Sequence, residues 1–104
     1  MELIEIQREI ERFINEKGLD STLYVRVIDL VSEVGEMAKE VLKGSEYGKR
    51  TFKSNENLES EMGDILFSLI CLANITGINL EDSLKKVLNK YEKRFSIKGN
   101  IGSE

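Results

Sequence analysis

Two tetrads in this 104-residue chain carry carboxylates at a spacing that matters chemically, Glu33-Val34-Gly35-Glu36 and Glu61-Met62-Gly63-Asp64. On a helix, residues three and four apart share a face, so each tetrad projects its two acids together. Asp29, Glu33, Glu36 and Glu40 form one such stripe, opposite Leu30, Val34, Ala38 and Val41. Alone, that is the ordinary pattern of a solvated helix face. Glu61 and Asp64 are different. Their stripe runs back to Asn57 and on to Ser68, with Leu58, Ile65 and Leu72 on one side and Phe67 beyond Asp64 on the other. Carboxylates set beside apolar surface are costly unless they are paired or bind a metal.

With no histidine and a single cysteine in the chain, the donors are hard oxygens. These suit Mg2+, with Mn2+ as a substitute, rather than structural zinc. Magnesium keeps waters and binds substrate phosphates alongside protein carboxylates, so acid-rich ligation points to phosphate chemistry. Gly35 and Gly63 occupy matching places in the tetrads. A mid-helix glycine costs about 1 kcal/mol relative to alanine, and a close approach of two helix backbones there would explain both.

A basic counterpart lies further on. Lys90 and Arg94 are one turn apart, beside a stripe of Leu84, Leu88, Tyr91 and Phe95 that is expected to face inward, while Lys85, Lys86 and Lys93 point to solvent. Such a pair can grip successive phosphates, the arginine through a bidentate contact. Tyr47 and Phe52, among Lys49, Arg50 and Lys53, either stack on a base or pin their loop to the core.

Positioning these groups takes four helices. Leu3, Ile6, Ile10, Phe13 and Ile14 recur at helical spacing, predicting a first helix from Glu2 to Lys17 closed by Gly18. Asp20 and Ser21 offer caps for a second helix reaching Lys43 and stopped by Gly44. After an exposed connection over Ser45–Ser54, a third helix starts between Asn55 and Leu58 and ends at Thr76 before Gly77. Asn79 caps a fourth that carries Leu80, Val87 and the stripe just described. The chain contains no proline, so nothing opposes long helices. The expected fold is all-α, one domain over residues 1–96 with a flexible tail over 97–104.

Nineteen acids against fifteen bases give a net charge of -4, which argues against nonspecific nucleic-acid binding. Cys71 sits in an apolar run and reads as a small buried hydrophobe. No apolar stretch approaches the roughly 20 residues of a membrane span, and the N-terminus lacks a secretory pattern, so a soluble cytoplasmic protein is expected. A chain this short covers its apolar surface poorly, which favours a homo-oligomer, dimer or tetramer.

The ordered set Glu33-xx-Glu36, Glu61-xx-Asp64 and Lys90-xxx-Arg94 resembles the signature of the MazG-like members of the all-α NTP pyrophosphatase superfamily, over roughly Asp20 to Phe95. Many members double the glutamate that opens the first motif, where this chain has Ser32 before Glu33. The resemblance implies Mg2+-dependent hydrolysis of a nucleoside triphosphate to the monophosphate and pyrophosphate within a homo-oligomer. Glu33, Glu36, Glu61 and Asp64 would be the metal-binding and catalytic residues, and Lys90 and Arg94 would bind phosphates. Two other readings stand beside it. One is a related phosphohydrolase of dUTP or dCTP, and the other is a noncatalytic oligomerisation or regulatory module whose acids and bases pair between subunits.

Overall fold

In the computed structural model, which describes residues 1–102, the chain forms α1 (Leu3–Lys17), α2 (Leu23–Gly44), α3 (Glu56–Thr76) and α4 (Leu80–Lys98), with no strand among the described residues. The all-α expectation is met. Gly18 closes α1 and Gly77 closes α3 in the left-handed conformation, which costs a residue without Cβ nothing. Asn55 and Asn79 cap α3 and α4 through their side-chain oxygens.

The ends of α2 depart from expectation. Its cap is Thr22, whose hydroxyl accepts from the Val25 amide at 3.2 Å, rather than Asp20 or Ser21. At the other end the helix runs through Gly44 and stops at Ser45. Gly44 is there for space, since a Cβ on it would collide with the Phe52 ring. Ser45 then donates to the Val41 carbonyl at 3.0 Å and accepts from the Gly48 amide at 3.0 Å, holding Glu46 and Tyr47 at φ 48° and 59°. Phe52 is therefore the aromatic that pins the loop, while Tyr47 is exposed.

α3 is the centre of the fold. The buried hydrophobic residues Ile70, Cys71 and Ala73 all belong to it, which bears out the reading of Cys71. α2 packs along α3, α1 lies on α3 as well, and α4 turns 103° from α3 to rest chiefly on α1. Phe13 of α1 meets Phe67 of α3 edge to face at 6.4 Å.

This arrangement overturns two expectations. Leu84, Leu88 and Phe95 face outward, because α4 is held through the half-buried Leu80, Ser83 and Val87 instead. Gly35 and Gly63 do not mark the α2–α3 seam, since a Cβ on either would have nothing within 4 Å. The half-buried residues of α2 include Arg26, Leu30, Glu33, Met37 and Glu40, and Gly35 lies on the other side with exposed Ile28 and Val31. α4 also extends through Ile97 and Lys98, so the tail expected over 97–104 begins no earlier than Gly99; its residues 103 and 104 lie outside the described residues.

One buried polar residue joins three helices. Gln7 is 3% exposed; its Nε2 donates to Asn74 Oδ1 at 3.1 Å and to the Ile78 carbonyl at 3.0 Å, and its Oε1 accepts from the Leu80 amide at 2.8 Å. Asn74 Nδ2 returns a bond to the Gln7 carbonyl at 3.0 Å. Truncating one partner of such a network strands the others. Gln7→Leu is expected to lower the unfolding free energy by about 2–4 kcal/mol, read as a drop in the urea midpoint with unchanged slope. A midpoint within experimental error of the parent would remove this clamp from the account of stability.

Candidate active site

α2 and α3 pack antiparallel, since Glu33 of α2 meets Glu61 and Asp64 of α3 while Arg26, earlier on α2, lies by Cys71, later on α3. Three of the expected ligands converge there: carboxylate oxygens of Glu33, Glu61 and Asp64 all lie within 4.8 Å of one another. Glu33 and Glu61 are half-buried and Asp64 is exposed, so the cluster opens to solvent on one side. Glu36, the fourth, is exposed and stands outside this triad.

The electrostatics agree with the geometry. The pKa of Glu61 is raised, first by desolvation and then by the charges of Glu33, Asp64 and Glu36, with a hydrogen bond to Glu33 adding to the shift. Glu36 thus acts on the cluster through its charge. Like charges at this separation favour proton sharing or a cation. Three carboxylate donors without nitrogen or sulfur match a hard divalent ion, with waters or phosphate oxygens completing the shell. The donor set fits Mg2+ or Mn2+.

Lys90 and Arg94 occupy a different place. Both lie near the Tyr91 ring, Lys90 Nζ at 5.1 Å and Arg94 Cζ at 6.0 Å from its centroid, and Arg94 Nη1 donates to the Ile101 carbonyl at 3.3 Å. Among the described residues, the ion pairs are Arg50–Glu46 at 3.4 Å and Lys85–Glu81 at 3.8 Å, so neither cation is joined to the acidic cluster. Because α4 rests on α1 rather than along α2, one chain does not bring the basic pair onto the carboxylates.

Spacing alone gives no reason to single out Arg26, yet the structure does. It lines a cavity between α1, α2 and α3, its Nη2 donates to the Leu19 carbonyl at 2.8 Å, and its Nε is buried with no hydrogen-bond partner.

Residues 25–96 match the family described as the MazG nucleotide pyrophosphohydrolase domain. The chain is 38% identical to the uncharacterized protein YpjD of Bacillus subtilis over 95 residues, covering 86% of this chain and 83% of YpjD. It is 34% identical over 79 residues to the nucleoside triphosphate pyrophosphohydrolase of Escherichia coli K12, covering 75% of this chain but 27% of that longer protein. Among solved structures, a Bacillus-conserved MazG protein described as a nucleotide pyrophosphohydrolase superposes with a TM-score of 0.73 at 32% identity, covering 88% of this chain and 89% of the other.

Proposed function

This chain belongs to the MazG nucleotide pyrophosphohydrolase family, and from that premise we propose that it hydrolyses nucleoside triphosphates, ribo- or deoxyribo-, to the monophosphate and pyrophosphate with Mg2+, as a cytoplasmic homo-oligomer. The observation that carries the reading is the convergence of Glu33, Glu61 and Asp64 from two different helices. Residues on two separate helices have no reason to meet in a solvated face.

Glu33, Glu61 and Asp64 would hold the ion directly, with Glu36 close enough to add its charge or to orient water. When bound, Mg2+ supplies positive charge to the phosphate oxygens and acidifies water in its shell. The carboxylates do the rest. One of them orients the attacking water toward phosphorus, and the half-buried setting of Glu33 and Glu61 keeps their charges effective by limiting solvent screening. Lys90 and Arg94 would neutralise the remaining phosphates. Since one chain keeps them apart from its own carboxylates, a second copy is the natural source of that pair. No single helix among the described residues is long and apolar enough to cross a membrane, in keeping with a small-molecule substrate met in solution.

The division of labour is directly testable. Arg94→Ala is expected to weaken nucleoside triphosphate turnover by about 10- to 100-fold, the size of a lost charged hydrogen bond, while leaving the Mg2+ affinity of the free protein unchanged. Glu36→Gln should weaken Mg2+ binding first. Calorimetry for the metal and a pyrophosphate-release assay for turnover supply the comparison; normal kinetics in Arg94→Ala would take α4 out of the site. A nucleotide panel scored separately for pyrophosphate and orthophosphate decides the reaction itself, and orthophosphate as the sole phosphorus product would overturn the proposal.

A further inference from the structure

α3 and α4 are joined by Gly77, Ile78 and Asn79 alone, and the turn of 103° between the two helices is made there. Local bonds hold the two ends of this joint. The Gly77 and Ile78 amides donate back to the Asn74 and Ala73 carbonyls and close α3, while the Asn79 side chain caps α4 by accepting from the Asp82 amide at 3.1 Å. What these bonds leave free are the soft backbone dihedrals of Ile78 and Asn79, the latter at φ -87° and ψ 108°. They decide where α4 points.

Gln7 spans that gap. Its carboxamide donates to the Ile78 carbonyl at 3.0 Å and accepts from the Leu80 amide at 2.8 Å, the two peptide groups on either side of Asn79. The same amide donates to Asn74 Oδ1 in the last turns of α3 at 3.1 Å. One side chain of α1 therefore fixes the end of α3, the joint and the first residue of α4 against one another. Leu80 and Val87 also hold α4, but their contacts are apolar and non-directional, whereas hydrogen bonds set an angle.

That angle matters because of where the cations stand. Beyond Val87 the half-buried residues of α4 are Tyr91 and Arg94, with Arg94 over the Tyr91 ring and donating to Ile101 near the chain's own end. This half of the helix is an arm braced at its base. At the helical rise, Lys90 and Arg94 stand about 15 and 21 Å from Leu80, so a swing of about 10° moves Arg94 by about 4 Å. A hydrogen bond to a phosphate tolerates about half an ångström. We propose that Gln7 is a positioning residue for substrate phosphates, which sets the place of Lys90 and Arg94 through the α3–α4 joint. The inference rests on the reading above that this pair binds phosphates, and it adds to that reading a residue that touches no substrate.

The test is a mutant cycle in the full chain, with each variant assayed below its own thermal transition. Gln7→Leu should raise KM for a nucleoside triphosphate by about 10- to 100-fold, as for a misplaced binding group, with the Mg2+ affinity of the free protein unchanged. A purely structural role would lower only the folded fraction, which reduces apparent kcat and leaves KM alone. In a background of Lys90→Ala with Arg94→Ala, Gln7→Leu should change kcat/KM by less than about twofold, since an arm without its cations loses nothing by being misaimed. Asn74→Ala, which removes the α3 side of the clamp and leaves Gln7 in place, should give the same signature and serves if Gln7→Leu does not fold. An unchanged KM in the folded variant, or its full penalty in the cation-free background, overturns the inference and leaves the phosphate role of the pair standing. Normal kinetics in the Lys90→Ala and Arg94→Ala protein itself would overturn that role, and this inference with it.

Discussion

Chelation is expected to abolish turnover completely, and Mg2+ or Mn2+ to restore it, because every donor gathered by α2 and α3 is a hard carboxylate oxygen. Asp64→Asn should lower kcat by on the order of a thousandfold, as expected when transition-state charge loses several kcal/mol of stabilisation. Glu36→Gln should cost less, about 10- to 100-fold, since Glu36 acts on the triad from outside it. Both variants should keep the parent's helical circular-dichroism signal, as neither side chain is buried. Activity in metal-free buffer, or Asp64→Asn turning over at the parental rate, would eliminate the metal mechanism.

Proton linkage gives the same site a second signature. The Glu61 pKa is raised in the folded state above its ordinary value of 4.5, so the native metal-free protein holds a proton that the unfolded chain releases. Its contribution to stability is fully present below pH 4.5 and is lost as pH rises through the raised folded value. Above that window the ionised cluster repels itself, and a divalent ion relieves the repulsion. The thermal upshift on adding Mg2+ should therefore be larger at pH 7 than at pH 4.5.

Much of this was legible in the sequence because it depends on local rules. Helix ends at Gly18 and Gly77 are written in residues that tolerate positive φ, and the tetrads announce their own faces by period. What stayed hidden depends on which surfaces meet. The α4 stripe looked like core because amphipathic period identifies an apolar face without naming its partner, and within one chain that face has none. Gly35 and Gly63 share an offset, yet offset does not say which side of α2 meets α3. Gln7 was invisible for the opposite reason. A glutamine among Glu5, Arg8 and Glu9 reads as solvated, and only the return of the chain at Ile78–Leu80 gives its amide partners. Arg26 likewise acquires meaning only when α1 closes over it.

Those unpartnered surfaces lead to the second large effect, which concerns assembly. Tyr24, Ile28 and Val31 recur at i, i+4 and i+7 along α2 and are 78%, 68% and 67% exposed. Gly35 extends their stripe with open space above it, leaving room for another backbone to approach. Few hydrophobic side chains are fully buried in one copy, too little core for a chain of this size. Fully burying a large apolar side chain contributes about 1.5–3 kcal/mol. A twofold contact engages each stripe residue twice, so three positions from each of two copies can outweigh an association cost of roughly 4–15 kcal/mol. The protein is therefore expected to sediment at micromolar concentration as a dimer or larger, not at the 11.9 kDa of one chain. The double substitution Ile28→Asp and Val31→Asp should shift it toward the monomer by more than about a hundredfold in dissociation constant, because each aspartate must be desolvated without a partner. Both positions lie on the face of α2 away from Glu33, so loss of turnover in parallel with dissociation would tie the assembly to the site. A parent that sediments as a stable monomer would refute the assembly, and with it the supply of Lys90 and Arg94 from a second copy.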